Sequence, residues 1–418
     1  MDDKKLLRGL FDRAVETADP MRFIGPNLPA KPKGRLLVVG AGKASARMAE
    51  AVEHELGACE GLVITRYGYG RPTQGIEIVE AAHPVPDQSG VDATGRMLEL
   101  LKGLGADDLV LMLISGGASA LLCAPAGEMT LKEKQAVNAA LLASGAPIDK
   151  MNVLRKHLSR VKGGQLAAAA APAQVVTLMI SDVPGDDPAM IGSGPTVGDN
   201  STVQDAKAIV ERWGIDLPES AKAVLFNGFG VIPVGDKRLA RVDNRVVAAP
   251  AQSLDAAAEM ARAEGYRVMI LGDDLGGEAR EVAAEHASLA LSEQSKMKDG
   301  DAPQIIMSGG ELTVTRRGDG VGGPNAEYAL ALALALKGAT GISAIASDTD
   351  GVDGAAEVAG AVIGPDTLGK ARAANMDPED ALSRNDAHSF FEAIGDQVVT
   401  GPTLTNVNDF RAIIIRPA

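Results

Sequence analysis

The alternation of short apolar runs with longer helical segments constrains the fold of this chain more than any other feature. Runs rich in β-branched residues are separated by Ala/Leu-rich segments, which is typical of βαβ units and of a parallel sheet. The apolar share of 46% with only 3% aromatic residues suits helices packed closely over buried strands. The sequence therefore predicts an α/β fold, with strands over residues 36–39, 62–65, 109–114, 175–180, 246–249, 266–271, 305–307 and 342–346.

Three helices can also be located from the sequence. Residues 44–56 place their apolar side chains on one helical face. Thr130 with Glu133 forms a capping box for a helix that ends near Ser144. Ser253 is expected to cap the helix that follows strand 246–249.

Chain length and one Gly/Pro-rich segment predict two domains. A chain of 418 residues exceeds the size at which a single core keeps growing. Residues 226–237 are rich in Gly and Pro and form the best boundary. We expect an N-terminal domain over 1–235, which the tail 397–418 joins in one interpretation, and a smaller domain over 236–396. Both halves carry Gly-rich and Asp-rich turns at strand ends, where ligands bind in open α/β sheets, so we expect the active site in a cleft between the domains.

Charge and cysteine content exclude several classes of protein. A formal charge of −14 argues against a nucleic-acid or anionic-membrane surface. The first residues are acidic and amphipathic rather than a signal sequence, and the apolar runs fall short of a membrane span. Cys59 and Cys123 form no CxxC pair, which indicates two reduced thiols. We expect a cytoplasmic protein that binds neither nucleic acid nor membrane.

The turn from residue 40 to residue 45 (GAGKAS) is a candidate phosphate site. Glycines between a strand and a helix let backbone amides approach a phosphate, and Lys43 adds a full positive charge. The turn departs from a Walker A motif at Leu37 and Ala44, and from a dinucleotide fingerprint at Ser45. A tight turn that binds nothing is the alternative, but the lysine favours phosphate. The turn residues predicted to bind are Gly40, Gly42 and Ser45.

Further Gly-rich and basic segments are candidate anion sites. The loop Ser115–Ser119 offers backbone amides and two hydroxyls, and its alternative is a turn packed on a neighbouring helix. Residues 150–162 form a basic helix in an acidic protein, so Arg155 or Lys162 is a candidate for phosphate or carboxylate binding. The alternative there is a solvated face. His83 lies on a rigid loop after a strand, and whether it lines the cleft stays open.

Two acidic loops follow strands. Asp182 opens an acidic loop at 182–187, where a carboxylate can take a proton from a substrate hydroxyl or hold Mg²⁺. Asp348, Asp350 and Asp353 form the second loop, which resembles part of an EF-hand but lacks the distal Glu and follows a strand. Either loop alone can be a solvated turn. Together with the glycine turns they favour phosphoryl transfer, which needs a metal, a cation and a base in one place.

Ten segments in this order resemble one known family. They are GAGKAS, HPVPD, ISGGASALL, KGGQLA, SDVPGDD, GSGPTV, SGGELTV, GGPNAEYALALA, SDTDGVDG and TGPTLTNVND. Together they resemble the type II glycerate kinases, the glycerate 2-kinases with a C-terminal MOFRL domain, some of which carry an older label of hydroxypyruvate reductase. The resemblance implies two three-layer α/β domains, a Rossmann-like one followed by a smaller MOFRL-type one. It also implies phosphorylation of D-glycerate to 2-phosphoglycerate with ATP and Mg²⁺.

The resemblance carries roles onto single residues. It places the active-site lysine at Lys43 and the SDV aspartate at Asp182, which we expect to be the general base. We expect Asp350 and Asp353 to hold Mg²⁺ on the nucleotide phosphates. The expected contacts to glycerate or nucleotide are Ser115, Gly116, Gly117, Ser119, Arg155, Ser308, Gly309, Gly310, Glu311 and Asn325.

The sequence departs from the family pattern at two positions. Pro324 stands where many relatives have an arginine in the GGRNQE segment, so the cation that stabilises the transferred group is open between Arg155 and Arg160. Leu404 stands where the family has Gly, and because Leu disfavours positive φ we expect an altered loop backbone there.

Two rival functions remain at this point. An NAD(P)H-dependent hydroxypyruvate reductase has local support only from the imperfect glycine fingerprint and from Arg66. A non-catalytic module that binds a sugar acid or a nucleotide is disfavoured by the many charged groups at strand ends. The sequence leaves open a monomer or a homodimer.

Overall fold

The structure is a computed structural model that describes residues 2–354 and 356–418. It divides into two compact units. The parallel unit is Pro20–Ala248, and the mixed unit is Ala249–Ala418 together with the N-terminal segment that ends at Asp19. Helix α1 (Asp3–Thr17) opens the chain and belongs to the mixed unit.

The parallel unit is built on a six-stranded sheet in the order β3-β2-β1-β4-β5-β6, with every pair of neighbours parallel. Its strands are β1 (Leu36–Ala41), β2 (Glu60–Arg66), β3 (Ile76–Ala81), β4 (Leu109–Ile114), β5 (Gln174–Ile180) and β6 (Val242–Ala248). Its helices are α2 (Pro20–Asn27), α3 (Ser45–Leu56), α4 (Gln88–Leu100), α5 (Ala118–Leu121), α6 (Leu131–Ala143), α7 (Ile148–His157), α8 (Gln165–Ala169), α9 (Val203–Arg212) and α10 (Glu219–Phe226).

This strand order is the one used by dinucleotide-binding sheets, and it reverses between β1 and β4. Every residue of β4 is buried, which requires helices on both faces of the sheet. The predicted Rossmann-like, three-layer arrangement is therefore confirmed. The capping box of Thr130 and Glu133 is also confirmed at the start of α6.

The mixed unit has a second six-stranded sheet in the order β11-β10-β9-β12-β8-β7. Only β7 and β8 pair in parallel, and the other pairs are antiparallel. Its strands are β7 (Arg267–Ile270), β8 (Gln304–Ser308), β9 (Ile342–Asp348), β10 (Gly360–Ile363), β11 (Gln397–Val398) and β12 (Asp409–Ile415). Its remaining helices are α11 (Pro250–Ala263), α12 (Ala279–Lys296), α13 (Pro324–Leu336), α14 (Thr367–Ala373), α15 (Pro378–Ser383) and α16 (Ala387–Ile394).

Strand β12 shows how the mixed unit is layered. Its seven residues are all buried, and their side chains alternate between two apolar clusters. Phe410 and Ile414 pack in the cluster that contains the buried face of α1, whereas Ile413 packs in the cluster formed with α12 and α13. The sheet is therefore covered on both faces, which confirms the second three-layer α/β domain.

The bounds of the two units differ from the predicted domain limits of 1–235 and 236–396. Strand β6 completes the parallel sheet, so that unit continues to Ala248. The tail 397–418 lies in the mixed unit, because β12 pairs with both β8 and β9. Helix α1 lies there as well, with the ring of Phe11 at 6.1 Å from that of Phe410. Helix α1 and the tail 397–418 therefore lie in the same unit.

Two local predictions are corrected by the backbone. Ser253 does not cap a helix, because α11 already begins at Pro250, whose fixed φ suits the first helical position. The buried Ser253 hydroxyl instead donates to the carbonyl of Ala14 at 2.9 Å. Leu404 keeps a left-handed backbone with φ of +65°, so the loop retains the geometry that glycine favours despite the substitution.

Candidate active site

The turn after β1 lies at the point where the strand order of the parallel sheet reverses. Ala41 at the end of β1 pairs with Ile114 at the end of β4. The glycines make this close approach possible, since a Cβ on Gly40 would overlap Leu113 and one on Gly42, at φ of +141°, would overlap Ser115. The glycine turn and the Ser115–Ser119 loop therefore pack directly against each other.

The backbone amides of the glycine turn are already occupied within the protein. The N–H of Gly42 donates to the carbonyl of Ile64 at 3.1 Å, and that of Lys43 donates to Gly116 at 2.8 Å. The N–H of Ala44 donates to the Ser115 hydroxyl at 3.0 Å. Ser45 is buried, and its hydroxyl donates to the carbonyl of Leu113 at 3.0 Å.

These contacts give Gly40, Gly42, Ser45 and Ser115 packing roles, and they correct the prediction that the amides of this turn cradle a phosphate. The half-buried side chain of Lys43 is the chemical group that the turn presents at the strand ends. In this arrangement the glycines bring two strand-end loops together, and the lysine supplies the charge.

The loop after β4 brings Lys43 and His83 to one point. Gly117 has φ of +82°, and a Cβ there would lie 3.0 Å from Cδ2 of His83 and 3.3 Å from Cγ of Lys43. Among the described residues no acceptor is found for the N–H groups of Gly116 and Gly117. The two glycines of this loop thus offer amides that an anion can contact.

Asp182 lies at the same edge of the sheet. Ile114 at the end of β4 pairs with Met179 of β5, so Asp182 and Gly117 each lie three residues beyond a paired position. The Asp182 side chain is half-buried. Because adjacent strands are about 5 Å apart, Lys43, the Gly117 loop and Asp182 follow three neighbouring strands at one carboxyl edge.

Beside this edge lies a cavity of about 190 Å³ that we call the cation pocket. Its lining contains three cationic side chains together with polar and small groups. The lining residues are His83, Pro84, Gly117, Ser119, Ala120, Lys134, Asn138, Arg155 and Lys162. No carboxylate is among these described residues. The pocket shares His83 and Gly117 with the surroundings of Lys43.

Burial perturbs the cations of this pocket. Burial lowers the pKa of Lys134 to about 8, with a smaller contribution from the charge of Arg155. Burial lowers the pKa of Lys162 to about 7, assisted by the neighbouring charge of Lys134. Burial also lowers the pKa of Arg155. Both lysines consequently titrate in a range where an ordinary lysine stays fully charged.

The polar groups of the pocket differ in how well they are satisfied. Lys162 Nζ donates to the Ser119 carbonyl at 2.7 Å and to its hydroxyl at 3.1 Å, and this hydroxyl lies 2.9 Å from that of Ser193. In contrast, Nζ of Lys134 and Oδ1 of Asn138 are buried without a hydrogen-bond partner among the described residues. Internal hydrogen bonds therefore satisfy Lys162 and Ser119, whereas Lys134 and Asn138 can still bond a ligand.

Sequence reasoning anticipated Ser119, Arg155 and Lys162 but missed Lys134 and Asn138. Helix α6 buries Val137 and Leu141, and Lys134 stands one turn before them on the same face. Because the apolar side chains of α6 do not form one clear face, this register is too weak a signal to identify Lys134 from the sequence. His83, whose place was left open, lines the pocket.

The basic segment 150–162 does not act as one surface. Lys156 is buried in an ion pair with Asp199 at 2.7 Å, and Arg160 is exposed. Arg155 and Lys162 reach the cation pocket. Arg155 and Arg160 are the two candidates for the cation that replaces the family arginine. Arg155 lines the same pocket as His83 and Gly117, which lie near Lys43.

In the mixed unit, the predicted SGGE loop is held by a buried arginine. Arg411 donates through Nε to the Ser308 hydroxyl at 3.2 Å and through Nη1 to Asp409 at 2.9 Å, and it also bonds the carbonyl of Gly309. Gly310, at φ of +96°, packs against the backbone of Leu275. Ser308 and Gly309 therefore have internal partners, whereas Glu311 is the exposed member of this loop.

Asp353 acts as a cap for helix α13 from outside the helix. Its Oδ1 accepts the N–H of Asn325 at 3.0 Å, and Oδ2 accepts that of Ala326 at 2.8 Å and lies 3.1 Å from Nε2 of His388. Asp353 and Asn325 are buried, and the Asn325 amide also donates to Asp409 at 2.6 Å. Asn325 thus joins a buried network.

These contacts do not fit the predicted magnesium site. Both oxygens of Asp353 are committed to the helix and to His388, and Oδ1 of the buried Asp350 accepts the N–H of Val352 at 2.8 Å. Within the described parts of the chain, no group of three or more His, Cys, Asp or Glu side chains is placed to hold a metal. Asp353 therefore serves as a cap for α13, and Asp350 as a magnesium ligand stays a prediction.

Comparison with known proteins assigns the family. Residues 6–226 match a family described as a domain of unknown function (DUF4147), and residues 304–409 match the MOFRL family. The D-glycerate 2-kinase of Thermotoga maritima is 38% identical over 97% of this chain and 97% of its own length. The chain belongs to the type II glycerate kinases.

Solved structures and other relatives agree with this assignment. A crystal structure of glycerate kinase from Thermotoga maritima superposes with a TM-score of 0.88 at 37% identity, over 99% of both chains. A protein of Agrobacterium vitis, named only provisionally as a hydroxypyruvate reductase, is 54% identical over 99% of this chain and 94% of its own. The predicted family and fold are confirmed.

Within this type II glycerate kinase, the GGPNAE segment is a structural element. Pro324 occupies the first position of α13, where a missing N–H costs nothing. Glu327 is fully buried and pairs with Nε of Arg280 at 2.6 Å, while Asn385 donates to its other oxygen at 2.9 Å. The segment therefore anchors the start of a helix rather than presenting a cation.

The structure also bears on the cysteines, on membrane spans and on one further histidine. Cys59 and Cys123 are free and buried. Among the described residues, no helix is long and apolar enough to cross a membrane. His286 is a packing residue, with Nδ1 at 2.7 Å from the Tyr328 hydroxyl.

Proposed function

We propose that this chain transfers the γ-phosphoryl group of ATP to the 2-hydroxyl of D-glycerate, which yields ADP and 2-phosphoglycerate. The observation that carries the proposal is the convergence of Lys43, the Gly116–Gly117 turn and Asp182 at the carboxyl ends of three adjacent strands. A cation, open amides and a carboxylate are the groups that phosphoryl transfer uses for positioning and charge stabilisation.

Asp182 is the proposed general base. As the 2-hydroxyl oxygen attacks the γ-phosphorus, its proton passes to the Asp182 carboxylate, and the bond from the γ-phosphorus to the bridging oxygen breaks to release ADP. Lys43 offsets the negative charge on the transferred group. The N–H groups of Gly116 and Gly117 orient the same oxygens. No covalent nucleophile is required in this scheme.

The hydroxypyruvate reductase alternative conflicts with the geometry of the glycine turn. A dinucleotide-binding turn needs free amides that face the pyrophosphate at the helix N-terminus. Here the amides of Gly42, Lys43 and Ala44 are bonded within the protein, and Ser45 fills the third glycine position with a buried hydroxyl. The strand order alone does not make the site a dinucleotide site.

Magnesium enters the proposal only as a partner of the ATP phosphates. Mg²⁺ usually keeps several waters and is held by one or two carboxylates plus substrate phosphates, so a preformed protein cage is not required. Since Asp353 does not fit as a ligand, we assign no step to the metal. The placement of the active site between the two units stays a prediction.

The activity is tested by product analysis. D-glycerate is incubated with ATP and MgCl₂, and hydroxypyruvate is incubated separately with NADH, with ³¹P NMR to identify a phosphate ester at the 2-position. We expect 2-phosphoglycerate only in the first reaction. NADH oxidation by hydroxypyruvate without ATP consumption would contradict the kinase assignment.

The role of Asp182 is tested by Asp182→Asn. We expect kcat to fall by roughly 10²–10⁴, because a carboxamide cannot accept the proton. The matched control is Asp187→Asn in the same loop, where an exposed carboxylate only accepts the N–H of Ala189 at 2.9 Å. We expect this control to keep kcat within about two-fold of wild type. Near wild-type turnover of Asp182→Asn would remove it from the role of base.

A further inference from the structure

We propose that the cation pocket binds the carboxylate of the acceptor acid through Lys134, and that this contact makes the enzyme select hydroxy acids over neutral polyols. The inference rests on the proposed function, because it assigns the acceptor's carboxylate to a place beside the proposed phosphoryl-transfer residues. It identifies Lys134 and Asn138 as substrate contacts, with Lys162 as a positioning residue.

The first argument is the missing counter-charge of Lys134. Its ammonium is buried and has no hydrogen-bond partner among the described residues. An unpaired buried ammonium costs several kcal/mol, so proteins retain one where it does chemistry or meets a ligand. A carboxylate in the pocket would supply the absent partner.

Among the described residues, no carboxylate lines the pocket around Lys134. The charged and titratable groups that face it are Arg155 from α7, Lys162 from the segment after α7, His83 from the loop after β3 and Cys123 after α5. Burial raises the pKa of the Cys123 thiol, so this group stays neutral and does not balance the lysine. The charge of the pocket is therefore positive until an anion enters.

The second argument is size. The cavity measures about 190 Å³. Pockets for drug-sized ligands and cofactors measure about 300–1,000 Å³, so this cavity is smaller than a site for a whole nucleotide. Its size suits a three-carbon hydroxy acid better, which favours the acceptor over ATP as the occupant.

The third argument is the order of groups around Gly117. Gly117 lines the pocket, and its missing Cβ is the space between His83 and Lys43. A Cβ at this position would meet both side chains at 3.0–3.3 Å. We therefore place the carboxylate of the acid on Lys134 and its hydroxyl carbons beside Gly117, the part of the lining that contacts the surroundings of Lys43.

Lys162 and Asn138 complete the assignment. Lys162 donates to both oxygens of Ser119, so it fixes one wall of the pocket instead of reaching the ligand directly. Oδ1 of Asn138 is buried and lacks a donor among the described residues. A hydroxyl or a protonated group on the substrate would satisfy it, and a second carboxylate oxygen would not.

The test compares Lys134→Met with the control Lys132→Met, which lies two residues away on the exposed side of α6. Because hydrogen bonds to charged groups contribute about 1.5–3 kcal/mol, we expect Lys134→Met to raise the KM for D-glycerate by about 10- to 100-fold. The KM for ATP and the rate with glycerol as acceptor should stay within about two-fold of wild type. Lys132→Met should match wild type in all three measurements.

Binding measurements separate this inference from the proposed activity. Calorimetric titrations with D-glycerate, glycerol and inorganic phosphate are run on wild type and both variants without ATP. Loss of glycerate binding in Lys134→Met supports the pocket even if wild type forms no 2-phosphoglycerate. Unchanged glycerate binding, or loss of phosphate binding alone, overturns it even if the kinase activity is present.

A second measurement uses the unaltered protein, so that a folding defect in the variant does not leave the question open. If a carboxylate pairs with Lys134, binding of glycerate above the free pKa of about 8 must take up protons. Titrations in two buffers of different ionisation enthalpy report this uptake. Glycerate binding by wild type without proton uptake in that range overturns the assignment.

Discussion

Replacing Asp353 by alanine decides whether the acidic loop of the mixed unit serves folding or metal binding. The carboxylate is 1% exposed and receives the N–H groups of Asn325 and Ala326 at 3.0 and 2.8 Å. It also lies 3.1 Å from Nε2 of His388. Alanine leaves two amides at the start of α13 without this acceptor, whereas Nε2 of His388 keeps the backbone carbonyl of residue 353 at 3.1 Å.

The expected cost follows from those contacts. A hydrogen bond to a charged group contributes about 1.5–3 kcal/mol, and each donor left buried without a partner costs about 1–3 kcal/mol. Because removal of one partner from a buried charged network costs about 3–5 kcal/mol, we expect a loss of this size in the free energy of unfolding. For a unit of this size each kcal/mol lowers Tm by about 2–4 °C, so the expected drop is roughly 6–20 °C.

The assay is thermal unfolding of Asp353→Ala with and without MgCl₂, beside the control Asp319→Ala. Asp319 is 87% exposed and pairs with Arg384 at 3.3 Å, so its removal should cost less than about 1 kcal/mol. The Asp353→Ala deficit should be the same with and without magnesium. A variant that melts with wild type but needs far more Mg²⁺ for half-maximal rate would refute the capping argument and restore the metal role.

Two further predictions concern stability. Burial holds the pKa of Lys134 at about 8, below its ordinary 10.5, so between these values the unfolded chain binds more protons and wild-type stability rises with pH. Without ligand at pH 7, Lys134→Met should therefore unfold at a higher temperature than wild type. This difference in Tm should shrink as pH rises toward 10. A difference that grows with pH would contradict the buried charge. Leu404→Gly should raise the free energy of unfolding by about 0.5–1 kcal/mol in urea titrations. Glycine removes the backbone strain of leucine at φ of +65°, and this gain outweighs the larger conformational entropy of glycine in the unfolded chain. A loss of stability would show that the packing of the Leu404 side chain dominates.

The sequence located eight strands, with β4 the most accurate, and missed β3, β10, β11 and β12. Strand β4 reads as a continuous apolar run, and its predicted and observed bounds coincide. Strand β3 carries two glutamates and is half-exposed at the sheet edge, which weakens the apolar signal. Strand β12 contains Asp409 and Arg411, which pair with each other and whose other partners, Asn325, Ser308 and Gly309, are distant in sequence. Two charged residues interrupt the apolar pattern, so the tail could not be assigned to a sheet from local pattern.

The candidate site was predicted in outline, and the roles within it were not. Lys43 and Asp182 could be located because strand ends in an α/β sheet collect polar residues. Whether an amide or hydroxyl faces a ligand depends on its partner, and the partner of Ser45 is the carbonyl of Leu113, 68 residues away. Lys134 escaped because nothing near it in sequence indicates that its ammonium is buried beside two other cations.

The two Ser-Gly-Gly turns show what decides between structure and ligand binding. In the mixed unit, the cation beside the turn is Arg411. Asp409 neutralises it, and its other N–H groups donate to Ser308 and Gly309. In the parallel unit, the cations beside the turn include Lys134, which no described carboxylate neutralises. The two Ser-Gly-Gly turns therefore have the same sequence but differ in whether the neighbouring positive charge is balanced by a carboxylate. That residual charge, rather than the glycines, marks the turn that an anionic substrate has to approach.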